Sequence, residues 1–276
     1  MAELPKGNSA LHFERNNQMN ILILGDVVGK AATEGFGPAL SQFKKENKVD
    51  AVIVNGENAC LGSGNGISTE AAELLLAGGA DVITGGNHSL RQKNMLDYLD
   101  SGKPIIRPAN LPSASPGNGY LLADLCGRRL LVMNLMGRVY MDPCDCPFVA
   151  GDRILEREKG NFDIAILDIH AEATSEKWAL ADYFSDRVQV IFGTHTHVQT
   201  ADEQILPTGC AFITDIGMCG PIRSALGVKT EIIVNRMRTA IHERFELSDN
   251  PVRYHGILVT TNGFDKVTDI KRVVFE

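Results

Sequence analysis

Apolar runs rich in Val, Ile and Leu recur through this chain of 276 residues, and they constrain its fold more than any other feature. They include Ile21-Leu22-Ile23-Leu24, Ala51-Val52-Ile53-Val54, Val82-Ile83, Ile164-Ala165-Ile166-Leu167 and the run from Val188 to Phe192. A strand with one wet face alternates polar and apolar residues, whereas a near-continuous apolar run is buried on both faces, under helices, in a largely parallel sheet. Strands are expected at 20–25, 49–55, 80–84, 104–107, 119–124, 129–134, 162–169, 188–192, 210–214, 252–260 and 266–274. Helical patterns fall near 35–46, 69–77, 91–100, 150–158, 174–183 and 229–236, the fifth with Thr174 as its expected cap and Lys177 and Trp178 inside. Segments flanking Cys126-Gly127-Arg128 and Asn262-Gly263 read as antiparallel hairpins, so the expected class is mixed α/β.

With 44% hydrophobic residues the chain can bury a large core, and nothing in it reads as a linker, so residues 19–276 are expected to form one domain. Residues 1–18 are polar and lack the apolar segment of a secretory signal; a poorly ordered extension is expected there, with Met19 as an alternative start. No apolar run approaches the ~20 residues that span a bilayer, and six scattered Cys suit reduced thiols, so a cytoplasmic protein without a membrane partner is expected. Cys144-Asp145-Cys146 has no second pair at zinc-finger spacing and reads as loop chemistry. A net charge of −7 leaves no basic stripe for a nucleic-acid backbone, so stable nucleic-acid binding is not expected.

The chemistry lies in what the strands end on. Asp26 follows the first run, Glu57-Asn58 the second, Asn87-His88 the third, His170 the fourth, and His195-Thr196-His197 the fifth. Ligands in open α/β sheets gather at the carboxyl ends of strands, so five polar clusters at five strand ends predict one shared site. His195 and His197 would share a face of a continuing strand or project from one loop of a turning one. Either way two imidazoles converge, which suits Zn, Fe and Ni and tolerates Mn. Taken singly, each residue has an ordinary role: Asn58 and Asn87 in turns, Asp26 as a helix cap, His170 in a core. Jointly, and in this order, they read as ligands. Asp168 reads as an orienting or capping group outside the site, and His12, His242 and His255 as surface or loop residues. The loop Gly62-Ser63-Gly64-Asn65-Gly66 misses the register of a dinucleotide fingerprint and reads as a loop near the site.

Gly25-Asp26, Gly56-Glu57-Asn58, Gly86-Asn87-His88, His170 and Gly193-Thr194-His195-Thr196-His197 resemble the five motifs of the calcineurin-like metallophosphoesterase superfamily. With Arg107-Pro108-Ala109-Asn110, Asp145-Cys146-Pro147-Phe148 and the stretch from His170 to Lys177, the chain closely resembles the bacterial YmdB-like phosphodiesterases over roughly residues 19–276. The resemblance implies a four-layer α/β/β/α sandwich with two metal ions between the strand ends. It implies that Asp26, Glu57, Asn58 and His197 hold one ion and Glu57, Asn87, His170 and His195 the other, with Glu57 bridging and His88 as proton donor. It further implies iron or manganese, with zinc as an alternative, 2′,3′-cyclic nucleotides or other small phosphodiesters as substrates, and a homo-oligomer. The residue types suit that chemistry on their own account. Two ions ~3.5–4 Å apart can share a carboxylate and a water, generating hydroxide at neutral pH, and a leaving alkoxide takes its proton most readily from an imidazole.

Relatives continue Asn-His with Thr-Trp-Asp, whereas this chain reads Asn87-His88-Ser89-Leu90-Arg91, losing a carboxylate and gaining a cation beside the proposed acid. A cation there lowers the pKa of a nearby His, or a guanidinium grips phosphate. A phosphomonoesterase on the same scaffold and a metal-binding regulatory protein with little catalysis are the rival readings.

Overall fold

The computed structural model describes residues 18–62, 64–262 and 266–276. Two sheets organise it. In the first, β1 (Gln18–Leu24) lies parallel to β3 (Ala51–Asn55), which is followed by parallel β4 (Val82–Thr84). On its other side β1 pairs antiparallel with β12 (Val252–Asn262), and β12 with β13 (Lys266–Phe275). Two short strands, β2 (Asp26–Val27) and β11 (Met218–Pro221), complete it at the end of β12. The second sheet runs β5 (Tyr120–Leu125), β6 (Arg128–Met136), β7 (Ile164–His170), β8 (Val190–Thr194), β10 (Ala211–Ile213), β9 (Gln204–Ile205), parallel from β6 to β10 and antiparallel at both edges. Both expected hairpins are formed, β5–β6 and β12–β13.

Alternate residues of each run enter different apolar clusters, which is why the runs lack polar positions. Leu22, Leu24, Val52 and Val54 pack under α1 (Gly29–Asn47), α2 (Thr69–Ala77) and α3 (Lys93–Leu99), through Phe36, Leu75 and Met95 among others. Ile21, Ile23, Ala51 and Ile53 face the second sheet, meeting Leu130, Val132, Ile166 and Phe192. The far side of the second sheet, with Leu131, Met133, Leu167 and Ile191, is covered by α4 (Pro147–Arg157) and α5 (Thr174–Phe184). Each fully buried Ile or Leu contributes about 1.5–3 kcal/mol.

The structure departs from expectation at several local points. Residues 104–107 make only a bridge, Ile105 to Ile83, because Pro104 and Pro108 supply no N–H to a ladder. The first helix starts at Gly29 rather than 35, over a Gly-Lys-Ala-Ala-Thr-Glu stretch that carries no apolar period. Thr174 is the first residue of α5, not its cap: Ala173 occupies that position without a side-chain bond. Strands β2, β9 and β11 are too short to leave a pattern in the sequence. His255 is no loop residue; it lies on β12 and donates from Nδ1 to the Met218 carbonyl at 2.8 Å. His12 and residues 1–17 of the extension expected over 1–18 lie outside the described residues, whereas Gln18 opens β1, and no described helix is long and apolar enough to cross a membrane.

Candidate metal centre

The carboxyl ends of β1, β3, β4, β7 and β8 point to one place, and the turns beyond them carry the polar groups. Glu57 is buried between two imidazoles, with Oε1 3.2 Å from His88 Nδ1 and Oε2 3.2 Å from His170 Nε2. His170 Nε2 also meets Asn87 Oδ1 at 2.9 Å and His195 Nδ1 at 3.2 Å. Glu57, His170 and His195 each bring a ligand atom within 4.8 Å of the others, a spacing that could hold one cation. Beside them, Asp26 Oδ2 lies 3.4 Å from His197 Nε2 and accepts from the His195 backbone N–H at 2.9 Å. Asn58 bridges the halves: its Nδ2 is 2.9 Å from Glu57 Oε1 and 3.3 Å from His197 Nε2, and its Oδ1 is 2.9 Å from His88 Nδ1. A half-turn of this amide exchanges its oxygen and nitrogen ends. All eight residues singled out in the sequence, Asp26, Glu57, Asn58, Asn87, His88, His170, His195 and His197, therefore meet.

Backbone geometry explains the glycines in front of them. A Cβ on Gly86 would collide with Glu57 Oε2 and with His170 Nε2 and Cε1, so only glycine lets the β4 end approach the cluster. His195 and His197 adopt φ of 92° and 64°, in the left-handed region that side chains other than glycine rarely enter. Two carboxylates hold this strained loop. Asp26 takes the His195 N–H, and buried Asp215 takes the Thr196 N–H at 3.2 Å and hydroxyl at 2.6 Å while pairing with fully buried Lys177 at 2.7 Å.

The residues fit cations. Asp26 Oδ1 is buried with no hydrogen-bond partner among the described residues, and burial holds this carboxyl well above the usual range. Asp26, Glu57, Asp168 and Asp215 are all buried, with Lys177 the buried ammonium beside them. Buried carboxylates need a hydrogen-bonded, paired or coordinated partner, and Asp26 Oδ1 is the carboxylate oxygen of the four left without one among the described residues. Burial opposes charge on His170, but Glu57 overrides it and lifts the imidazole to about 9, while the Glu57 carboxyl, despite its own burial, is held well below its ordinary value by His170. Burial and neighbouring His170 push His195 down to about 3, and burial also lowers His197, keeping both as neutral lone-pair donors. Carboxylate, amide and imidazole ligands without thiolate suit Mn, Fe or Zn.

Several further groups support the ligands. Asp168 accepts from Asn55 at 2.9 Å, Thr84 at 2.6 Å and Thr194 at 2.7 Å, and Thr194 Oγ1 meets His170 Nδ1 at 2.9 Å, so Asp168 orients a candidate ligand through Thr194. Glu172 sits 3.1 Å from His195 Nε2; sequence reasoning gave it no role, although it lies within the His170–Lys177 stretch, two residues past His170. The cluster opens into a cavity of about 620 Å³, bordered by Gly64 and Asn65 of the glycine loop. Its opposite wall is apolar: Leu226, Val228, Ile233 and Met237 of and before α6 (Thr230–Thr239), then Phe245 and Leu247. In the altered segment, Ser89 closes the turn through Gly86, Leu90 packs on the first apolar cluster, and Arg91 faces Asp142 at 3.6 Å, which offsets the extra cation beside His88. The two remaining motifs bind each other: Asn110 donates to the Asp145 and Met136 carbonyls at 2.9 and 2.7 Å and accepts from the Met136 N–H.

Residues 22–273 match the YmdB-like protein family. The chain is a member of the YmdB-like family. It is 38% identical over 257 residues to a 2′,3′-cyclic-nucleotide 2′-phosphodiesterase of Bacillus subtilis (strain 168), covering 93% of this chain and 97% of that one. Two crystal structures are also similar. A hypothetical protein of Thermus thermophilus has a TM-score of 0.86 at 36% identity, over 94% of this chain and 100% of that one. A phosphatase of Mycoplasma pneumoniae has a TM-score of 0.85 at 34% identity, over 94% and 95%. The match to the YmdB-like family takes in every strand end that carries a cluster residue.

Proposed function

We propose that this chain is a dinuclear metal-dependent phosphodiesterase acting on 2′,3′-cyclic nucleotides or similar small phosphodiesters. The observation that carries the reading is Glu57, buried at the cavity with Oε2 3.2 Å from His170 Nε2 of one proposed ligand set and Oε1 2.9 Å from the Asn58 amide of the other. In this assignment Asp26, Glu57, Asn58 and His197 hold one ion and Glu57, Asn87, His170 and His195 the other, Mn or Fe before Zn. When bound, the ions supply Lewis acidity toward phosphate and acidify water at neutral pH.

The chain's own residues do the rest. Asp26 and Asp215 fix the His195–His197 loop, and Asp168 with Thr194 fixes His170, so the ligands are held in place before substrate arrives. His88 borders the cavity with Nδ1 held by Asn58 and Glu57, which reserves Nε2 for the departing ribose oxygen, the usual task of a general acid. The apolar wall of Leu226, Ile233, Met237 and Phe245 gives a nucleobase a surface to cover, and about 620 Å³ accommodates a mononucleotide. The stack of helices, two sheets and helices is read as a four-layer α/β/β/α sandwich, with residues 19–276 as one domain.

The test is hydrolysis of 2′,3′-cyclic AMP by Mn²⁺-loaded and chelated protein, with products separated. Metal-dependent conversion to one AMP monoester is the expected result, and its identity tells which ribose oxygen leaves. Faster turnover of a mononucleotide than of the cyclic diester would move the reading to a phosphomonoesterase. Full metal content without hydrolysis would move it to a regulatory metal protein.

A further inference from the structure

His170 closes β7 and Glu172 follows it by two residues in the loop beyond, so one strand end delivers two titratable groups to the centre. His170 enters the buried cluster, whereas Glu172 stays at the cavity wall with its side chain half exposed and Oε2 3.1 Å from His195 Nε2. The opposite edge of the His195 ring faces inward, Nδ1 lying 3.2 Å from His170 Nε2. Glu172 is thus separated from the Glu57, His170 and His195 group by the width of an imidazole, and it is not one of that group's members.

A neutral imidazole carries one N–H, and a carboxylate can only accept. With Glu172 at Nε2, the proton belongs there and the lone pair belongs to Nδ1. The buried ligand His170 has its far nitrogen held by Thr194, itself anchored on Asp168. His195 has no such buried anchor among the described residues: its side chain is 21% exposed, it stands on a strained backbone with φ of 92°, and its ring meets that of His170 edge-on at 4.8 Å. Glu172 is the group on its outer edge that opposes a ring flip turning Nδ1 away from Glu57. We propose that Glu172 is a positioning residue that fixes His195 as the Nε2–H tautomer and aims its Nδ1 lone pair at the cation position shared with Glu57 and His170. This rests on the dinuclear reading above. Carboxylates so placed behind a ligating His typically hold 10–100-fold of metal affinity.

The experiment titrates chelated full-length protein with Mn²⁺ by calorimetry, comparing wild type, Glu172→Ala and Glu172→Gln, and records long-range ¹H–¹⁵N imidazole spectra of the metal-free forms. Glu172→Ala is expected to weaken one of two binding events by roughly 10–100-fold and leave the other unchanged. Glu172→Gln, whose amide oxygen still accepts from Nε2–H, is expected to recover most of the loss. The His195 signals are expected to change from the Nε2–H pattern to a mixed one in Glu172→Ala only. Wild-type affinity for both ions in Glu172→Ala, or an unchanged His195 tautomer, would overturn the proposal. Wild type binding a single ion would instead overturn the dinuclear reading, and the effect of Glu172→Ala on that ion would still decide the role of Glu172.

Discussion

Replacing Lys177 by Met tests whether the strained His195–His197 loop depends on a buried ion pair. Lys177 and Asp215 are both fully buried and 2.7 Å apart, and Asp215 also binds the Thr196 N–H and hydroxyl and the Gly217 N–H. Met fills much of the lysine stem's volume, so the change removes the charge more than the packing. It leaves the Asp215 carboxylate buried among neutral donors and near buried Asp26. Breaking a buried pair from one side costs about 3–5 kcal/mol, which for a protein of this size lowers Tm by on the order of 10 °C. Thr196 lies between the two left-handed histidines, so a weakened tether also relaxes them and reduces Mn²⁺ affinity. Calorimetric melting of chelated protein reads the first effect, and Mn²⁺ titration at a temperature where the variant is folded reads the second. The double variant Lys177→Met/Asp215→Asn removes the stranded charge and is expected to recover at least about half of the stability. A Tm within about 2 °C of wild type for Lys177→Met would refute the argument.

Glu57→Ala is expected to empty both cation positions and abolish turnover, read by metal analysis and the cyclic AMP assay; full metal content would refute the bridging role. His88→Ala is expected to keep its metal and lose about 10²–10⁴-fold in kcat, with equal loss of metal counting against a proton-donor role. Gly86→Ala places a Cβ against Glu57 and His170, and is expected to cost about 1–3 kcal/mol and much of the Mn²⁺ affinity; a melt and titration matching wild type would contradict the close approach. In chelated protein His170 is raised from 6.5 to about 9, chiefly by Glu57 acting against burial. A raised folded-state pKa contributes stability that is complete below the unfolded value and is lost as pH rises through the folded one. The urea midpoint of chelated protein should therefore fall between pH 6.5 and 9, while Mn²⁺ affinity rises over the same interval because ligation needs the neutral imidazole. A midpoint that climbs across that interval would contradict the sign.

The sequence by itself determined which strands are buried on both faces and what each one ends on. Both signals are local: a run such as Ile21–Leu24 has no polar position because its alternate residues enter two different apolar clusters, and the polar cluster residues follow within a few positions of each run. That sufficed to single out Asp26, Glu57, Asn58, Asn87, His88, His170, His195 and His197, which the fold brings together. Tertiary structure alone decided how they are held. Asp168 reaches Asn55 across 113 residues, Lys177 reaches Asp215 across 38, and the cavity's apolar wall comes from residues 226–247. No period or short spacing encodes such partners, because each is chosen where elements distant in the chain cross. Short strands such as β2 and β11 were illegible for the same reason: two to four residues form a strand only where a neighbouring strand supplies the ladder.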